Sequence, residues 1–214
     1  MKVIIFRLAL QSAVIAIVSN SAVHAEGAAP VPQQELQAKL TYCKTCHGSA
    51  GQGYRGSFPI PRLAGQQPEY FENQLRAFIE HRRENRFMYG VAHALNPAML
   101  PALAGHFKDL NPPPVGGAQK QLIPTGQKLF EEGAPDADIP PCASCHGADA
   151  KGNGPFPRLA GQLHDYIFRK LVNWSKERGQ DPNNPDTSAI MAPIAHGLTE
   201  AQITAVAAYL NYLE

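Results

Sequence analysis

Apolar residues in this chain recur at helical spacing in short, separated runs. Leu36 and Leu40 lie one turn apart, and Leu129 and Phe130 sit in a second short stretch at 128–132. Residues 68–80 and 164–176 carry apolar side chains at i, i+4 and i+8, which predicts two longer helices. Near the C-terminus Ile203, Val206 and Leu210 form one stripe that Leu213 finishes, and Thr199 with Gln202 makes a capping box at its start. A matching helix is predicted from Asn96, with Pro97 in the tolerated first position. Pro101 falls inside it, where the missing N–H should produce a kink. No strand-forming run stands out, so the expected fold class is all-α.

The pattern occurs twice. Pro61-Arg62-Leu63-Ala64-Gly65-Gln66 returns as Pro157-Arg158-Leu159-Ala160-Gly161-Gln162, with Tyr70 and Leu75 opposite Tyr166 and Leu171. Residues 88–110 then align without a gap on 191–213. Such self-similarity marks a duplicated unit. The stretch 108–117, with three consecutive prolines and Gly116-Gly117, reads as a semi-rigid linker. The expected organisation is a first domain at 26–114 and a second at 115–214. The proline- and glycine-broken last helix of the first domain puts its packing on the first helix in doubt.

Residues 1–25 stand apart. Lys2 and Arg7 precede an apolar run from Leu8 to Val18, and Val23-His24-Ala25 fits a signal-peptidase site. The run is shorter than the ~20 residues a spanning helix needs, so a cleaved signal peptide and an exported, periplasmic protein are expected. Without residues 1–25 the chain keeps 17 basic and 18 acidic side chains, which argues against a nucleic-acid partner. The charge is uneven, +2 over 26–114 and −3 over 115–214. Such a dipole can orient the molecule between redox partners. The run His81-Arg82-Arg83-Glu84-Asn85-Arg86 is the candidate docking patch.

All four cysteines fall in two copies of Cys-x-x-Cys-His, Cys43–His47 and Cys142–His146. This is the attachment motif of c-type haem. Two thiols one turn apart can each add to a vinyl group of one porphyrin, and the following imidazole can bind the iron. A four-thiolate zinc site would bring its pairs together across roughly 15–20 residues, far fewer than separate these two. A thioredoxin-like dithiol needs a βαβ context that neither half offers. Domains of this size are small for apolar cores of their own, and a haem in each supplies a body for helices to pack around.

Met88 and Met191 occupy equivalent positions of the repeat, on the segment read as a loop before each last helix, and are the candidate sixth ligands. Met99 aligns with Gln202 inside the last helix and reads as a core side chain. His93 and His196 also match and would give bis-histidine haems; the alternative is that they lie on the rim. His/Met ligation raises the potential relative to bis-histidine. The carbonyls of Pro61 and Pro157 are candidate acceptors for the second ring nitrogen of His47 and His146.

Two Cys-x-x-Cys-His-Gly motifs, two Pro-Arg-Leu-Ala-Gly-Gln segments and the Ile139-Pro140-Pro141-Cys142 approach resemble the two-haem cytochrome c4 family over essentially all of the chain beyond residue 25. The resemblance implies two tandem class I cytochrome c domains. It implies two covalently attached haem c groups anchored by Cys43, Cys46, Cys142 and Cys145, with His47, Met88, His146 and Met191 on the irons. It implies an electron carrier rather than an enzyme, passing electrons between respiratory redox partner proteins toward a terminal oxidase or reductase, in some members with peripheral membrane association. The alternatives are a cytochrome subunit of a dehydrogenase complex and a two-haem enzyme such as a peroxidase or a thiosulfate-oxidising cytochrome.

Overall fold

The computed structural model describes residues 31–178 and 187–214; the expected signal peptide and its cleavage site lie outside the described residues. The described chain is helical, and its β-pairing is limited to three isolated bridges. The first domain contains α1 (Gln33–His47), α2 (Pro68–Ile79), α3 (Arg86–His93) and α4 (Leu100–Lys108). The second contains α5 (Ile123–Glu132), α6 (Ala143–His146), α7 (His164–Val172), α8 (Trp174–Glu177), α9 (Ser188–Gly197) and α10 (Glu200–Tyr212).

Each domain has one apolar core. In the first, Leu40 from α1, Phe71, Leu75 and Phe78 from α2, and Leu103 and Phe107 from α4 pack together with Met99. Met99 is fully buried, as its register within the repeat predicts for a core residue. Burial of a side chain of this size stabilises the fold by about 1.5–3 kcal/mol. In the second, Leu129 and Phe130 of α5 meet Val206, Tyr209 and Leu210 of α10. The capping box at Thr199 forms as read, and Ile203, Val206 and Leu210 are all buried.

The helix that carries Leu36 and Leu40 runs on through Cys43 to His47. Three local expectations are corrected. Residues 164–176 divide at Asn173 into α7 and α8. Pro101 causes no kink: Asn96 caps a 3₁₀ turn at Pro97–Met99, and α4 starts afresh at Leu100. Pro101 therefore lies in the first turn, where no intrahelical N–H bond is lost. Finally, Met88 and Met191 are not on loops but within α3 and α9. In α3 the Asn85 side chain caps the helix by accepting from the Met88 N–H, an N-cap signal that the apolar pattern does not reveal.

The doubt about packing in the first domain is upheld. There α4 rests mainly on α2 and touches α1 over a few residues, whereas α10 lies along α5.

The duplicated Pro-Arg-Leu-Ala-Gly-Gln segments join the domains to each other. Gln162 Oε1 accepts from the Arg62 N–H (2.9 Å), and its amide donates back to the Arg62 carbonyl (3.0 Å). Gln66 repeats both bonds with the backbone of Arg158, at 2.8 and 3.2 Å. Both arginines and both glutamines are buried. From the linker, Asn111 Oδ1 accepts from Arg62 at 3.3 Å and from Arg158 at 3.4 Å. The result is a joint with approximate twofold symmetry.

Candidate haem-binding sites

His47 and His146 end their helices, and each is followed by a glycine with positive φ, +90° at Gly48 and +81° at Gly147. The left-handed turn sends the chain back, so the Gly53 N–H reaches the His47 carbonyl and the Gly152 N–H reaches that of His146. Glycine is required at these second positions by close approach. A Cβ on Gly53 would lie 2.6 Å from the Ile60 carbonyl, and one on Gly152 2.3 Å from that of Phe156.

This returning loop delivers the expected acceptors. His47 Nδ1 donates to the Pro61 carbonyl at 2.8 Å, and His146 Nδ1 to that of Pro157 at 3.0 Å. With Nδ1 engaged, the tautomer is fixed and Nε2 is the nitrogen left to bind a metal. Burial lowers the pKa of both imidazoles, and the charge of Arg83 adds to the effect at His47. Both shifts favour the neutral ring, the form that ligates iron.

None of the four cysteines is in a disulfide, and Cys46 and Cys145 are exposed. Burial pushes the Cys43 thiol up, and that of Cys142 up to about 11. The helical setting of both motifs offers no βαβ unit of the kind a thioredoxin-like dithiol needs. Among the described residues no three His, Cys, Asp or Glu side chains converge on a metal position, which removes the pooled zinc site. The arrangement fits haem c in each domain: two cysteines a turn apart and a buried imidazole whose Nδ1 is tied back to a proline carbonyl.

Met88 is half-buried against the first core, and Met191 is half-buried on α9. His93 and His196 are exposed. His93 stacks on Tyr89, and His196 hydrogen-bonds Ser175. Both are surface side chains of their domains. The expected docking patch, however, loses its centre. Arg83 is buried, with its guanidinium hydrogen-bonded to Gln74 and to Tyr166 of the other domain, and Arg82 pairs with Glu80. Neighbours in sequence thus have different partners, Arg82 a carboxylate of its own domain and Arg83 the domain joint.

Sequence reasoning missed a second polar cluster at that joint. Arg83 lies over the Phe78 ring at 4.6 Å, and Arg178 lies over Trp174 at 5.1 Å. Phe78 and Trp174 share a position in the repeat, but the arginines are offset by one residue, so the gapless alignment never paired them. The signal was an aromatic residue followed four or five positions later by arginine in each half.

The family described as cytochrome c matches residues 123–214. Cytochrome c4 of Thiocapsa roseopersicina is 36% identical over 177 residues, 80% of this chain and 86% of that protein. The chain belongs to the cytochrome c4 family. The solved cytochrome c4 structure from Acidithiobacillus ferrooxidans is 38% identical, covers 81% of this chain and 99% of its own, and superposes with a TM-score of 0.68. A protein of Thiomonas intermedia named thiosulfate dehydrogenase electron acceptor is 35% identical over 86% of this chain and 83% of its own length. Membership in the cytochrome c4 family establishes the tandem all-α cytochrome c fold and, with the spacing of the four cysteines, two covalently bound haem c groups. It is an electron-transfer cytochrome.

Proposed function

We propose that this protein is a periplasmic electron carrier of a respiratory chain, with both irons ligated by histidine and methionine and no substrate site of its own. His47 and Met88 would be the axial ligands in a first domain ending at residue 114, and His146 and Met191 those in a second beginning at 115. Cys43, Cys46, Cys142 and Cys145 would hold the porphyrins through thioethers. When bound, haem iron supplies one-electron chemistry between its ferric and ferrous states. The chain's part is to fix the ligands, exclude water and set the potential. The observation that carries this reading is the matched pair of Nδ1–proline bonds, with a methionine on a helix at the equivalent place in each domain.

The second reading, acceptor for a dehydrogenase, is favoured by the resemblance to the Thiomonas protein. It uses the same sites with a different donor. Export by a cleaved signal at residue 25 fits both readings, and peripheral association with the membrane fits an oxidase partner.

A spectroscopic redox titration tests ligation. Two one-electron steps are expected, with the ferric methionine–iron charge-transfer band at an intensity for two haems. Met88→Ala and Met191→Ala should each halve it. Carbon monoxide binding to a large fraction of the reduced wild-type haem would point instead to an open iron and an enzyme.

A further inference from the structure

The twofold match of the joint breaks one residue after the repeated segment. Pro61-Arg62-Leu63-Ala64-Gly65-Gln66 is followed by Gln67, whereas its copy at 157–162 is followed by Leu163. Leu163 is fully buried, and its side chain has no polar atom. Gln67 is half-buried and reaches across to the second domain. Its Nε2 donates to the carbonyls of Lys151 (2.8 Å) and Gly152 (3.0 Å), which uses both amide hydrogens. Lys108 Nζ donates to its Oε1 at 3.3 Å. A lysine ammonium only donates and a carbonyl only accepts, so these three partners fix which way the amide faces. The Gln67 carbonyl accepts from the Phe71 N–H at 2.9 Å and so opens α2, which gives the side chain a rigid base.

Lys151 and Gly152 belong to the loop that returns from His146 to Pro157. At one end of it the Gly152 N–H bonds the His146 carbonyl (2.8 Å), and at the other the Pro157 carbonyl accepts from His146 Nδ1 (3.0 Å). Gln66 already holds the backbone of Arg158, the residue after Pro157. Two adjacent glutamines of the first domain therefore grip the loop of the second at both of its ends. The reverse grip is single. Gln162 holds Arg62, but Leu163 has no donor to offer the carbonyls of Gln52 and Gly53, the counterparts of Lys151 and Gly152.

We propose that Gln67 is a positioning residue for electron transfer at the second haem, clamping the Lys151–Gly152 end of the loop so that the Pro157 carbonyl stays on His146 Nδ1. The inference rests on the reading of His146 as an iron ligand. A carbonyl on Nδ1–H makes the opposite ring nitrogen a stronger donor, which favours ferric iron. Gln67 thus lowers the potential of the second haem, while leucine stands in the matching place for the first. One side chain of the first domain sets two otherwise matched sites apart.

The test compares the mature two-haem protein with Gln67→Leu, which installs the residue of the second domain, and Gln67→Met, which keeps the length of the side chain. Neither substitution changes the charge, and haem content should stay at two per chain. The amide signals of Gly53 and Gly152 are followed by NMR through a redox titration, each reporting oxidation of the haem in its own domain. In both variants the couple seen at Gly152 should rise about threefold in its reduction equilibrium constant, about 28 mV at 59 mV per tenfold, and that seen at Gly53 should stay within about 1.5-fold. In the reduced protein the Gly152 amide should exchange with solvent about tenfold faster, with Gly53 unchanged. A merely structural contact would speed the exchange and leave the potential alone, so faster exchange with an unmoved Gly152 couple would overturn the proposal. So would equal shifts of both couples, the mark of a joint loosened as a whole. Failure of the ligand assignment is a separate result, seen in the wild type as a His146 ring without iron-shifted resonances, and it would overturn the proposal as well. Either variant decides the question should the other not mature.

Discussion

In the second domain α10 lies along α5, so close that a Cβ on Gly126 would come within 2.0 Å of the Ala205 carbonyl. In the first domain the corresponding crossing is slight: α1 has no glycine, α4 is only nine residues long, and the core is completed by Met99 and by Phe107 stacked on Phe71. The same fold is therefore closed by backbone proximity in one half and by large side chains in the other. Haem-bearing domains tolerate this divergence because the histidine loop, which sets the ligand, is built the same way in both.

Three substitutions probe that difference. The largest effect is expected from Met99→Ala, which empties a fully buried site and should cost about 2–5 kcal/mol. Both methionine–iron charge-transfer signals should survive it under native conditions; loss of one would make Met99 a ligand and undo the distinction from Met88. Next comes Gly126→Ala, where the obstructing atom is backbone and cannot turn aside, at about 1–3 kcal/mol. The single tryptophan, Trp174, lies in the second domain and reports on that half. Its fluorescence transition in denaturant should move for Gly126→Ala and much less for Met99→Ala. Equal shifts would mean that the joint makes the domains unfold as one unit. The smallest effect is expected from Thr199→Ala, which removes the cap of α10 for about 1 kcal/mol; it should be seen in the tryptophan transition alone.

Local patterns were readable. The haem motifs, the capping box, the α10 stripe and the proline carbonyls behind the histidines depend on residues close in sequence or fixed by a tight loop. The placement of Met88 inside α3 was missed because a short helix capped by Asn85 carries too few apolar positions to show a period. The fate of Arg83 was missed for a different reason. Its partner Tyr166 lies 83 positions away, and a charged run looks solvated until the other domain covers it. The repeated Pro-Arg-Leu-Ala-Gly-Gln segment was legible as a repeat but not as a joint, since Arg62 and Gln162 are a hundred residues apart.

That joint is its own complement: each glutamine clasps the main chain of the arginine that its twin's segment provides. A surface of this kind is isologous and closes on a second copy of itself. Two separate single-domain molecules bearing it would have the geometry of a homodimer before any covalent tether existed. The tether's contribution is then to the encounter, which it makes independent of concentration, rather than to the shape of what is formed.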